Sequence, residues 1–295
     1  MLPIEVQESV KKLLRDFRGE EVEIAAVSSV GGGCINDAHR VETGAAAFFV
    51  KYNDTKRYPG MFAAEAAGLK LLATAGSVRI PQVIGFHDAK TYSTLVMEYI
   101  HSTSKATGFW EAFGKGLAKL HRQEPEDGRF GLDHHNYIGS LPQENTKHTD
   151  WISFFITRRL EYQLKLARDN GRVGKEFTKM FESLYRFLPD FFPEEPASLL
   201  HGDLWSGNFM TGETGEPVII DPAVYYGHRY MDLGMSKLFG GFGQSFYDSY
   251  GDAYPLNKSW EQSMDIANLY PLMVHVNLFG GGYPASVKSI LRRFS

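Results

Sequence analysis

Residues 201–221 read HGDLWSGNFMTGETGEPVIID, and this run restricts the chain's fold more than any other feature. It predicts a turn at 202–203, a second turn around Asn208, and then a β-prone stretch, Glu216-Pro217-Val218-Ile219-Ile220. Pro217 can only open a strand or sit at its edge, so Asp221 falls at the strand's exit. The spacing of Asp203 and Asn208 is Asp-x-x-x-x-Asn, which suits a carboxylate that receives an acceptor hydroxyl's proton and an amide that holds magnesium. Asp221 can grip a second magnesium ion. Magnesium takes oxygen ligands and keeps part of its water shell, so one carboxylate and one amide suffice when nucleotide phosphates supply the rest. Taken singly, each residue also reads as an ordinary turn or strand-end residue; the spaced set points to phosphoryl transfer from a nucleotide.

The upstream half supplies matching parts. Gly31, Gly32 and Gly33 follow β-prone Val27-Ser28-Ser29-Val30, where bare backbone can approach phosphate oxygens. A hairpin turn would use the same glycines, and the chain has no G-x-x-x-x-G-K-[ST] motif, which excludes a Walker-type site. Phe48-Phe49-Val50-Lys51 is an apolar strand ending in a candidate phosphate-pairing lysine. In the helical stretch Met61 to Ala73, Glu65 lies on one stripe with Phe62, Leu69 and Leu72, so an inward-facing carboxylate requires a partner, for which Lys51 is the candidate; a Glu65 at the helix edge reaching solvent beside Lys70 is the alternative. Thr94 to Ile100 reads as a buried strand that stops before a polar run, which suits a hinge, with an ordinary sheet strand as the alternative. The carbonyl of Glu98 and the amide of Ile100 are the candidate adenine contacts.

With these residues in place the chain resembles the fructosamine-3-kinase or ketosamine-3-kinase family, within the aminoglycoside-phosphotransferase and choline-kinase-like superfamily. The resemblance rests on GGGCIN at 31–36, FFVK at 48–51, NYIGSLPQEN at 136–145, HGDLWSGN at 201–208, IDPAVYYGHR at 220–229 and HVNLFGGGY at 275–283. It implies an α+β, bilobal protein-kinase-like fold: an N-terminal antiparallel β-sheet lobe with one main helix over residues 1–100, and a larger, mostly helical C-terminal lobe over residues 101–295. It also implies ATP and Mg2+ as cofactors, and phosphorylation of a ketosamine, free or protein-linked, at its 3-hydroxyl. Phosphate placed there becomes a leaving group beside the C2 carbonyl, so the implied role is deglycation. Tyr230 departs from the pattern, since an acidic residue is expected after the arginine. Asp232 is expected to buttress the catalytic loop through backbone hydrogen bonds.

The acceptor end is less legible. Trp205 stands where protein kinases commonly carry a lysine, and neither D-F-G nor A-P-E follows Asp221, which disfavours a phosphorylation-gated protein kinase. An indole there can pack on a sugar's apolar face and donate its N–H to a hydroxyl. Gln143, Asn145 and His275 are the other acceptor candidates; loop hydrogen bonding and core packing are their alternatives. An aminoglycoside, choline or similar alcohol as acceptor, and a nucleotide-binding pseudokinase scaffold, stay open as other readings.

At 43% apolar and 22% charged, the 295 residues have ordinary globular composition, and a net charge of −4 speaks against a nonspecific nucleic-acid binder. No apolar run approaches membrane-spanning length and the acidic start lacks signal-peptide character, so a cytoplasmic monomer or homodimer without membrane contact is expected. The single cysteine, Cys34, excludes an internal disulfide; beside the glycine triplet it is a candidate redox switch, with an inert packed thiol as the alternative.

Overall fold

The computed structural model describes residues 2–31, 35–44 and 46–294. The chain opens with helix α1 (Ile4–Arg18), strands β1 (Ile24–Ser29), β2 (Asp37–Thr43) and β3 (Ala46–Asp54), helix α2 (Met61–Thr74), and strands β4 (Val83–Asp88) and β5 (Tyr92–Glu98). Next come α3 (Phe109–His121), β6 (Asn136–Ile138), β7 (Leu141–Gln143), α4 (Trp151–Phe154), a π-helix (Phe155–Leu160), α5 (Glu161–Asp169), α6 (Glu176–Tyr185) and α7 (Leu188–Phe191). Short strands β8 (Ser198–Leu200) and β11 (Tyr225–Gly227) flank the 201–221 run, which contains β9 (Phe209–Thr211) and β10 (Pro217–Ile219). Helices α8 (Tyr230–Leu238), α9 (Gln244–Ala253), α10 (Trp260–Ala267), α11 (Leu269–Phe279) and α12 (Tyr283–Leu291) complete the fold before a short 3-10 turn.

Two compact units divide the chain: Met1–Phe109 with Phe209–Asp221, and Trp110–Asn208 with Pro222–Ser295. This corrects the expected single cut after residue 100. The first unit continues to Phe109 and also takes in the β9–β10 hairpin, because Ile219 donates its N–H to the carbonyl of Arg79 (3.1 Å) and Ala106 donates to that of Gly215 (3.0 Å). Strand order alone could not assign that hairpin.

In the first unit the five strands run β1-β2-β3-β5-β4, every neighbouring pair antiparallel. Alternation along β2 buries His39, Val41 and Thr43. Helix α1 covers the sheet with Val6, Val10 and Leu14, spaced four apart on one stripe, which pack with Val41, Phe48, Val50 and Val96. It stops at Gly19, whose φ of 77° suits a glycine and whose N–H returns to the Arg15 carbonyl. The unit thus has two long helices, α1 and α2, where one main helix is expected.

The second unit is mostly helical. On α3, Phe113, Leu117 and Leu120 form a buried stripe. Between α4 and α5 the π-helix places Arg159 inside with 0% exposure. Gly280 and Gly281, at φ 67° and 58°, separate α11 from α12. No helix among the described residues is long and apolar enough to cross a membrane.

Candidate active site

Within the first unit, Lys51 sits on the central strand β3, opposite Ala38 of β2 and Leu95 of β5. Its ammonium is buried and donates to Glu65 Oε1 at 2.8 Å and to Asp221 Oδ1. The Lys51–Glu65 pairing expected from helix periodicity is therefore present, and Asp221 joins it. Burial alone would lower the lysine's pKa; the two carboxylates outweigh it and hold the ammonium above its ordinary range. Burial raises Glu65 against the opposing pull of Lys51. Asp221 is the one non-glycine residue with positive φ among the described residues, at 54°. A strained backbone at a charged strand exit is characteristic of functional positions.

The hairpin carrying Asp221 is tethered by a residue the sequence reading missed. Arg79 donates to Glu98 Oε1 at 2.6 Å and to carboxylates of Glu213 and Glu216. Its three acidic partners come from the end of β5 and from both sides of the β9–β10 turn. Glu98 is thus a strut through its side chain, while Ile100, two residues on, is buried. At Gly31 an added Cβ would meet nothing within 4 Å, leaving open space beside the backbone. Gly32, Gly33 and Cys34 lie outside the described residues.

In the second unit, Asp232 on α8 is fully buried and accepts the N–H groups of His201 (2.7 Å) and Gly202 (2.8 Å), plus His121 Nε2 at 3.1 Å. Burial would raise its pKa, but His121 and the Gly202 amide outweigh this and hold it below the usual carboxylate range. This is the buttress anticipated for Asp232. Gly202 has φ 84° and lies so close to the Ala223 carbonyl that a Cβ would collide with it. From this pinned start the loop turns through Trp205, whose N–H donates to the Asp203 carbonyl at 3.1 Å. It closes on Asn208, whose Nδ2 donates to the Asp203 carbonyl (2.9 Å) and to Asp203 Oδ2 (3.0 Å). The base candidate and a metal-ligand candidate thus form one hydrogen-bonded unit.

The acceptor candidates separate. Gln143 and Asn145 are interior: Gln143 donates to Asn136 Oδ1 and the Ala223 carbonyl and accepts from Tyr270, while Asn145 donates to Asn136 Oδ1 and the His134 carbonyl and accepts from Arg159. With 1% and 0% exposure they are supports, which corrects their reading as acceptor contacts. Loop spacing reveals polar residues but not whether their partners are internal. Trp205, in contrast, is 37% exposed and its ring contacts Phe239, which contacts His275. Tyr230, the departure from the expected acid, leaves Arg229 well paired: Glu195 takes two bonds from its guanidinium, both 2.7 Å.

Arg159 also escaped the sequence reading. Its guanidinium lies 4.0 Å from the Tyr225 ring centroid and donates to the Glu144 carbonyl and to Asn145. Its sequence context, the arginine pair Arg158-Arg159 before Leu160, looks the same when the side chain reaches solvent.

The donor chemistry of Asn208 and Asp221, an amide and a carboxylate, fits a hard cation such as magnesium. Among the described residues no three His, Cys, Asp or Glu side chains converge as a metal cage.

A strand lysine paired with a helix glutamate, and a catalytic loop with its aspartate hydrogen-bonded to a downstream asparagine, serve phosphoryl transfer in protein kinases; the α+β fold and these two arrangements place the chain among kinases of the protein-kinase-like fold. Comparison with known proteins narrows the class: the profile of the family described as fructosamine kinase matches residues 6–295, and the chain belongs to that family. It is 41% identical over 276 residues to the chloroplastic protein-ribulosamine 3-kinase of Arabidopsis thaliana, covering 92% of this chain and 83% of that one. A crystal structure from Thermobifida fusca, provisionally assigned as a fructosamine-3-kinase, is 34% identical with a TM-score of 0.86, over 96% of this chain and 97% of that one. One from Haemophilus somnus with the same provisional assignment has a TM-score of 0.89 at 25% identity, over 98% of both chains.

Proposed function

We propose that the protein transfers the γ-phosphoryl group of ATP to the 3-hydroxyl of a ketosamine, free or protein-linked. The observation that carries this is the bond from Asn208 Nδ2 to Asp203 Oδ2, which orients a carboxylate base beside a metal-ligand amide. Asp203 aligns the hydroxyl and accepts its proton as the new O–P bond forms, the bond from the γ-phosphorus to the bridging oxygen breaks, and ADP leaves. Lys51 binds phosphate oxygens, oriented by Glu65. The backbone at Gly31, Gly32 and Gly33 approaches the phosphates, and the Glu98 carbonyl and Ile100 amide bind adenine. Asn208 and Asp221 would hold magnesium, which when bound neutralises charge on the phosphoryl oxygens. Trp205 and His275 face the acceptor, with Gln143 and Asn145 supporting from within.

The test is ADP release with magnesium-ATP and fructosyl-lysine, ribulosyl-lysine, an aminoglycoside or choline. Turnover confined to the ketosamines, falling about 100-fold or more in Asp203→Asn while ATP binding persists, supports the assignment. Turnover of choline or the aminoglycoside alone moves the acceptor class, and near-normal turnover in Asp203→Asn removes Asp203 as the base.

A further inference from the structure

Seven large hydrophobic side chains are exposed among the described residues, and three of them, Trp205, Phe239 and Phe279, belong to one aromatic strip. The Trp205 and Phe239 rings lie 5.9 Å apart, Phe239 and His275 5.1 Å, His275 and Phe279 5.4 Å, and His275 and Tyr283 4.9 Å. The strip begins on the catalytic loop, two residues beyond Asp203. We propose that it is the subsite for the hydrocarbon carried on the acceptor's amine nitrogen, a proposal that rests on the ketosamine reading above.

The strip is built from separate parts of the second unit. Trp205 comes from the loop, Phe239 from the residue ending α8, His275 and Phe279 from successive turns of α11, and Tyr283 from the first position of α12. Its geometry depends on glycines. The Trp205 ring lies against Gly207, where a Cβ would overlap the indole, and the positive φ values of Gly280 and Gly281 turn the chain so that the Tyr283 ring returns to His275. His275 shares a 2.7 Å hydrogen bond with the Pro271 carbonyl, so Nδ1 carries the proton and donates. Burial also disfavours its charged form. The strip therefore presents aromatic rings and a neutral imidazole.

That chemistry matches one end of a ketosamine. The sugar end is polyhydroxylated and must reach Asp203; the other end is a secondary ammonium bearing the rest of the amine. Ring faces attract the cation and exclude water from its hydrocarbon stem. Trp205 lies two residues beyond Asp203 and donates its N–H to the Asp203 carbonyl, so the strip starts on the same loop turn as the carboxylate, and on this proposal the amine substituent lies there.

The test uses two acceptors with the same sugar, N-methyl and N-hexyl fructosamine, and the single variants Phe239→Ala and Phe279→Ala, each checked for a native melting transition. The readout is the ratio of kcat/KM for hexyl over methyl. The wild type should favour hexyl, and each variant should lower the ratio about tenfold through KM. Phe279→Leu should recover most of it. A ratio unchanged in both variants, or an equal loss on both acceptors, overturns the proposal. If the wild type phosphorylates neither acceptor, the ketosamine reading has failed; the strip is then read by equilibrium binding of N-hexyl fructosamine, and binding that is absent or insensitive to Phe279→Ala overturns it separately.

Discussion

Glu65 Oε1 accepts a 2.8 Å hydrogen bond from Lys51 Nζ, joining the middle strand of the sheet to helix α2 in a place where the two side chains are only 11% and 6% exposed. A buried pair of this kind is costly to break from one side, because the surviving charge loses its partner.

Glu65→Ala should therefore cost about 3 kcal/mol of stability, although Asp221 will retain part of the lysine's compensation. The same change should raise the KM for ATP several-fold while the acceptor KM moves little. Urea unfolding and initial-rate kinetics check both; unchanged stability would show that the pair does not depend on its burial.

Arg79 predicts the opposite balance. Its guanidinium is 29% exposed, so its three ion pairs are screened and Arg79→Ala should cost about 1 kcal/mol or less. Yet the β10 strand leading to Asp221 bridges to Arg79 through the backbone, and Glu213 and Glu216 are held by its side chain. The magnesium-ATP KM should rise about threefold, with the acceptor KM unchanged and partial rescue by Arg79→Lys. A titration of rate against magnesium-ATP that superimposes on the wild type would remove Arg79 from this role.

Arg159→Met fills most of the same volume but removes the donors to the Glu144 carbonyl and to Asn145. Two acceptors of the 136–145 network then lack a donor, a loss of about 2 kcal/mol. Because Gln143 of that network donates to the Ala223 carbonyl, against which Gly202 at the start of the catalytic loop packs, the acceptor KM should rise more than the ATP KM. Equal effects on both substrates would indicate a general loss of packing.

His228 should make stability pH-dependent. It is 1% exposed, Nε2 donates to the Pro193 carbonyl and Nδ1 accepts from the Tyr230 N–H, so the folded ring is neutral. Burial pushes its pKa down to about 4 from an ordinary 6.5, despite the attraction of Glu195. Between those values the unfolded chain binds a proton that the folded chain refuses. Stability from this group is complete above pH 6.5 and falls by about 3 kcal/mol as pH drops to 4. His228→Gln should flatten that part of the profile in chemical unfolding from pH 4 to 7; a parallel profile would contradict the assignment.

What the sequence determined by itself was local. Short spacing sufficed to place Lys51 in a strand, Glu65 on the inward stripe of α2, and Asp203 and Asn208 in one loop, because each depends on backbone geometry within a few residues. Only the tertiary structure decided which polar residues are consumed internally. Gln143 and Asn145 looked like acceptor contacts until Tyr270, Arg159 and Asn136 took their hydrogen bonds, and neither Arg79 nor Arg159 announced its role. The aromatic strip follows the same logic: His275 was legible as an acceptor candidate, but Phe239 and Phe279 beside it are ordinary apolar residues in one dimension. The reason is that hydrogen bonds and ring contacts between distant segments depend on through-space distance, which periodicity and spacing along one element do not encode.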